Sequence, residues 1–134
     1  MTEVVKVPTR LVTGITNVEG YLWSALDADD SGQMVEMAKF SDKCIHIYGT
    51  PNGGTLTLYG SNDPRALVDK AAGTLFGSAT ASWIALTDPQ GNAIAKTAAA
   101  IEEVLENPLY YCVVSSGGGG STAWTVALVG KKSV

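Results

Sequence analysis

The segment from Cys44 to Pro64 constrains the fold of this chain more than any other. It reads Cys-Ile-His-Ile-Tyr-Gly-Thr, then Pro-Asn-Gly-Gly, then Thr-Leu-Thr-Leu-Tyr-Gly-Ser-Asn-Asp-Pro. Ile45 and Ile47 fall on one face of the first run, opposite Cys44, His46 and Tyr48. In the second run Leu56 and Leu58 oppose Thr55, Thr57 and Tyr59. Period-two alternation on both sides of a Pro-Asn-Gly-Gly turn predicts a β-hairpin, with Asn52, Gly53 and Gly54 supplying the positive-φ positions. A lone hairpin cannot bury its apolar face, so the rest of the chain must provide partner strands.

It does so repeatedly. Leu11–Thr16, Tyr21–Leu26, Gln33–Lys39, Ser82–Leu86, Asn92–Lys96, Leu109–Val114 and Thr122–Val129 all read as strands. In Tyr21–Leu26, Tyr21, Trp23 and Ala25 are expected on one side, with Leu22 and Leu26 on the other. Asp88-Pro-Gln-Gly-Asn92 is a tight turn, and the Gly-rich run Ser115–Ser121 a loop within a second hairpin. Ala98–Asn107 is open between helix and strand, since Ile101, Val104 and Leu105 are spaced for a helix while Pro108 closes a short segment. One short helix is expected from Pro64, with Asp63 before it and Gly73 as its stop. About eight short strands at spacings of roughly ten residues, without strand–helix–strand alternation, predict an all-β antiparallel β-sandwich or barrel. Residues 1–10 read as an extended N-terminal arm ending near Pro8, and 11–134 as a single domain.

Composition narrows the function. The 134 residues carry nine Lys plus Arg and thirteen Asp plus Glu, a net charge of −4, with only 16% charged residues. No basic run exists, which argues against nucleic acid as partner. No apolar run approaches the roughly eighteen residues of a membrane helix, and the first residues carry an acid and no apolar core, so synthesis in a reducing cytoplasm is expected. Cys44 and Cys112 are far apart and form no CxxC; buried free thiols are expected rather than a disulfide.

Chemistry is sparse. The one histidine, His46, sits within a strand, and no GxSxG elbow accompanies it, although a Cys–His or Ser–His–Asp meeting in space is formally open. Asp27, Asp29, Asp30, Glu102, Glu103 and Glu106 are read as solvated acids. Asp27-x-Asp29-x-Ser31-Gly32 matches the first half of a calcium loop, but Ala38 stands where the bidentate Glu belongs, so Asp27, Asp29 and Ser31 are at most a weak metal alternative. Tyr21, Trp23, Tyr59, Trp83 and Trp124 are candidate sugar-stacking residues, with core packing the commoner fate of such side chains. No cofactor and no enzymatic activity are expected.

From Leu58 onward the order Tyr-Gly-Ser-Asn-Asp, Trp-Ile-Ala-Leu-Thr-Asp-Pro-Gln-Gly-Asn, Glu-Asn-Pro-Leu-Tyr-Tyr-Cys-Val-Val, a Gly-rich loop and Thr-Val-Ala-Leu-Val-Gly-Lys-Lys is similar to small virion proteins of tailed bacteriophages. It resembles most the capsid decoration, or cement, group. Cys112 follows Tyr111 where that group often carries Arg, so no contact of that Arg is carried over, and the stretch between Asn62 and Trp83 reads as an insertion. The resemblance implies a β-sandwich of jelly-roll type with an extended arm. It further implies a place on the outer surface of the virion, contacts with the major capsid protein, and self-association as a dimer or trimer. Val4, Val5, Lys6, Val7, Pro8 and Arg10 of the arm are the expected partner contacts, because a chain end with alternating valines has apolar side chains to place on a neighbour. The other readings are a glycan-binding module on a virion surface and a head–tail or tail subunit.

Overall fold

A computed structural model describes residues 4–11 and 13–132. In chain order the strands are β1 (Val5–Lys6), β2 (Thr9–Leu11), β3 (Val18–Leu26), β4 (Ser31–Gly32), β5 (Val35–Glu36), β6 (Asp42–Thr50) and β7 (Thr55–Ser61). Helix α1 (Arg65–Ala72) and a 3₁₀ turn (Phe76–Ser78) follow, then β8 (Ile84–Ala85), β9 (Ala95–Lys96), β10 (Ala100–Glu103), β11 (Tyr110–Ser116) and β12 (Ala123–Lys131). Two sheets stack as the β-sandwich expected. The first has the order β1-β4-β11-β7-β8, with β5 also on β11 and β9 also on β7; the second runs β10-β6-β12-β3-β2. All pairings are antiparallel except β1 with β4. The chain interleaves the two sheets, crossing from β1 to β2, β3 to β4, β5 to β6, β6 to β7 and β9 to β10 to β11 to β12.

That interleaving corrects both expected hairpins. The Pro51–Gly54 turn is real, closed by the Gly54 N–H donating to the Pro51 carbonyl at 2.8 Å. Its flanking strands, however, lie in opposite sheets: β6 pairs with β10 and β12, and β7 with β11, β8 and β9. Ile45 and Ile47 therefore face Leu56 and Leu58 across the core, all four wholly buried. The connection is an arch, opened by Gly49 at φ 116°, where a Cβ would sit 2.3 Å from the Ala123 carbonyl oxygen. The Gly-rich loop is a second arch, joining β11 to β12, and the two stack. Thr122 Oγ1 donates to the Pro51 carbonyl (3.1 Å) and accepts from the Gly119 N–H (2.9 Å).

Other local expectations are adjusted. The strand over Leu11–Thr16 ends at Leu11, and Thr13 Oγ1 donates to the Val18 carbonyl at 2.9 Å to close a turn; Val12 lies outside the described residues. In β3 the register against β12 shifts between Trp124 and Val126, and Ala25 takes φ 55°. This bulge turns Trp23 and Leu26 to the same, inward face, against the simple alternation expected. The undecided segment is a strand at its centre: Ala100–Glu103 pairs with β6 at the sheet edge. Helix α1 forms as expected and ends at Gly73, which is left-handed (φ 65°, ψ 31°). Asp63 accepts the Arg65 N–H just before it at 3.0 Å.

The expected arm is extended, but it is laced onto the domain. Its β1 pairs with β4 of the first sheet and its β2 with β3 of the second, so it ties together one side of the sandwich. The latch is Asp30, wholly buried, whose carboxylate accepts the N–H groups of Val4 (3.1 Å) and Asp27 (2.9 Å) and lies 3.8 Å from Lys6 Nζ. Asp30→Ala is expected to cost about 1–2 kcal/mol, by stranding the Asp27 N–H and releasing β1. Faster hydrogen exchange confined to Val4–Lys6 and the Asp27 turn is the measurement that checks it. The first three residues lie outside those described.

Candidate functional site

The two outer faces of the sandwich differ. On the first sheet, α1 and the 3₁₀ turn fold back over β11 and the neighbouring edge, burying Met34, Ala66, Ala81, Tyr110 and Cys112 beside half-buried Phe76 and Trp83. The residues after Asn62, which the sequence set apart, thus form a flap that gives this face a third layer. Beneath it is a cavity of about 30 Å³, lined in part by Met34, Cys112 and Phe76 and no larger than one water would need.

No helix covers the second sheet among the described residues. Side chains directly opposite in register share a face, which assembles two rows running across all five strands. One is Ile101, His46, Ala127, Leu22 and Thr9; the other is Glu103, Cys44, Val129, Gly20 and Leu11. Tyr48 stands beside Thr125 at one end. Ile101 is 64% exposed and Tyr48 38%, with the His46 and Tyr48 rings 4.6 Å apart and tilted. Glu103 is the single acid in the two rows, and neither holds a Lys or Arg. The next step of the same alternation adds exposed Asp42 and Lys131, so charge gathers with Glu103 at one end and the rows through His46 and Tyr48 are the uncharged, partly apolar part of the face, suited to contact with another surface.

Catalytic readings find little geometry. Cys44 shares this face with His46, yet no hydrogen bond joins them. Burial pushes the Cys44 thiol up, against the smaller pull of Lys131, which is the wrong direction for a nucleophile. The acids are dispersed: Glu102 pairs with Lys96 at 3.1 Å, Glu106 accepts from the Thr87 N–H at 2.8 Å, and Asp30 is the arm latch. Desolvation opposes ionisation of Glu106, but the bonds from Thr87 outweigh it and hold its pKa below the usual range. Asp27 and Asp29 are exposed, while Ser31 is buried and its Oγ accepts the Phe76 N–H at 3.4 Å. Among the described residues no group of three His, Cys, Asp or Glu side chains converges as a metal shell.

The five aromatic candidates separate clearly. Trp23 and Trp124 are wholly buried, and Tyr21 packs against the core. Tyr59 and Trp83 flank Phe76 under the flap, with ring centroids 4.5 and 6.2 Å from it. The exposed aromatic is Tyr48, which the sequence did not single out. Of the expected arm contacts, Val4 and Val7 are 43% and 70% exposed and Arg10 pairs with Glu19 at 2.8 Å, while Val5, Lys6 and Pro8 are half-buried against the domain.

No family model matches the sequence, and no curated protein does. Among solved structures the chain is similar to the carbohydrate-binding module CBM6cm-2 from Cellvibrio mixtus lichenase 5A, in complex with cellotriose. The identity is 14% over 94% of this chain and 88% of that one, with a TM-score of 0.30. A likeness that loose carries no argument about what this chain binds.

Proposed function

We propose that this protein is a capsid decoration protein of a tailed bacteriophage, binding the outside of the assembled head and holding neighbouring major capsid protein subunits together. The observation that supports it is the asymmetry of the sandwich: one outer face carries a flap, and the other has no helix over it among the described residues and presents Ile101, His46 and Tyr48 away from the charges gathered at Asp42, Glu103 and Lys131. Among the described residues no metal shell and no Cys–His hydrogen bond is formed, and on this reading the usefulness of such a block lies in adhesion. The mechanism is linkage: a protein that binds the shell and not its separated subunits stabilises the shell by the binding free energy. An interface of about 1,600 Å² is the standard size for such a contact. The arm's exposed Val4 and Val7 offer further apolar side chains to a neighbour, and self-association as a dimer or trimer multiplies the contacts.

The test mixes purified protein with heads lacking it. Saturable binding and a raised shell melting temperature are expected. Ile101→Asp is expected to weaken attachment by roughly tenfold or more, because a carboxylate buried in an interface costs over a kcal/mol, while the domain's own melting temperature stays put. Absence of binding to heads, together with saturable binding to an oligosaccharide that Tyr48→Ala abolishes, would overturn this reading in favour of a glycan-binding module. A head–tail or tail subunit is distinguished by its copy number and position in intact particles.

A further inference from the structure

Lys43 is the anomaly of the interior. The alternation of β6 that turns Ile45 and Ile47 inward turns Lys43 inward as well, and it is only 2% exposed. A buried ammonium is costly unless charge-paired, yet among the described residues the ion pairs formed do not include it. Its Nζ donates instead to the Phe40 carbonyl at 2.7 Å and to the side-chain oxygen of Asn107, with the Tyr111 ring centroid 5.4 Å away. The same Asn107 Oδ1 accepts the Tyr111 hydroxyl at 3.3 Å. An amine, a carboxamide and a phenol thus meet at one end of the core, brought from β6, from the segment after β10 and from β11.

We propose that this juxtaposition is reactive: the Lys43 amine and the Asn107 carboxamide form an intramolecular isopeptide bond. The ammonium first gives its extra proton to solvent. Its lone pair then attacks Asn107 Cγ, the Cγ–Nδ2 bond breaks, a proton from the attacking nitrogen passes to Nδ2, and ammonia leaves. An amine and a primary amide become a secondary amide plus ammonia, with no oxidant or reductant. Each neighbour serves a step. Burial lowers the Lys43 pKa against the smaller opposing pull of Asp42, raising the fraction of neutral amine. The Tyr111 hydroxyl, aimed at Oδ1, stabilises the negative charge that develops there during attack. Burial holds that phenol in its protonated, donating form. Asn107 itself is exposed, so the released ammonia has an exit, and the packed core holds the two groups in contact at high effective concentration. The bond would join positions 64 residues apart in sequence.

Intact-mass measurement of the purified full-length chain decides the matter. The expected mass is lower than the sequence requires by one ammonia, and proteolysis is expected to yield a branched peptide containing both Lys43 and Asn107. Lys43→Met and Asn107→Ala are expected to show their full sequence masses. Tyr111→Phe, which keeps the ring and both reacting groups, is expected to accumulate unreacted chain that converts slowly on incubation at mildly alkaline pH. A wild-type protein that is folded by circular dichroism and still has its full sequence mass after prolonged incubation would overturn the proposal. So would loss of ammonia that persists in both Lys43→Met and Asn107→Ala.

Discussion

Trp23→Ala and Trp124→Ala are each expected to lower the unfolding free energy by about 3–5 kcal/mol, and the corresponding phenylalanine variants are expected to part company. Both indoles are wholly buried between the sheets, and cavity formation dominates either alanine substitution. A domain of this size commonly has only about 5–15 kcal/mol in total, so each loss is a large fraction of the whole. The ring nitrogens differ. Trp23 Nε1 donates to the Gln33 carbonyl at 3.0 Å, whereas Trp124 Nε1 is buried with no acceptor among the described residues. Trp23→Phe therefore removes volume and a satisfied hydrogen bond. Trp124→Phe removes similar volume together with an unsatisfied donor, whose burial itself costs about 1–3 kcal/mol. Trp124→Phe is expected to be milder than Trp23→Phe by about 1–2 kcal/mol in urea unfolding at equal m-value; equal costs would mean that Trp124 has found a partner, such as a bound water.

The same residues show how far the sequence can be read. Alternation in Cys44–Tyr48 and Thr55–Tyr59 correctly separated inward from outward side chains, because burial of one face is what period two records. It could not say whether consecutive strands are hydrogen-bonded to each other or face each other across a core. Both arrangements bury Ile45, Ile47, Leu56 and Leu58, and the Pro51–Gly54 turn serves an arch as well as a hairpin. The bulge at Ala25 hid in the same way, since one inserted residue moves Leu26 to the face of Trp23 with no marker in composition. Around Ile101 the spacing resembled a helix because an edge strand need not bury its alternate residues, and Ile101 lies exposed while Val104 turns in. Helix α1 was legible because Pro64 and Gly73 carry local backbone chemistry that tertiary context did not override. The open sheet face was legible only in part: the mixed row Cys44, His46, Tyr48 was visible, but that the flap would choose the other sheet was not. Lys43 lay on the inward phase of β6 throughout and drew no attention, since a lysine beside an aspartate reads as solvated until its surroundings are known.

Asp69 governs whether that flap stays shut, and Asp69→Ala is expected to cost about 2–3 kcal/mol, concentrated in α1 and the segment after it. Its carboxylate accepts the Thr80 N–H at 3.0 Å, the Thr80 hydroxyl at 2.9 Å and the Ala81 N–H at 2.9 Å, clamping the returning chain against the helix. Desolvation pushes this carboxyl up, but the bonds from Ala81 and Thr80 outweigh it, and the net pKa lies below the ordinary aspartate range. A depressed folded-state pKa places the stabilisation above the unfolded-state value near pH 4 and removes it as pH falls through the folded-state value. The flap should therefore loosen in acid, and Asp69→Asn, which cannot titrate, should flatten that dependence. Cys112 is the reporter: it is buried under the flap, its thiol is held protonated by burial, and β11 places it in the sheet opposite Cys44. In a Cys44→Ser background, Asp69→Ala is expected to speed labelling of Cys112 at neutral pH by roughly 30- to 150-fold if the lost energy appears entirely as flap opening. Labelling that speeds up only as the whole protein unfolds would show instead that the flap and the sandwich open as one unit, and that the sealed face is as permanent as the core beneath it.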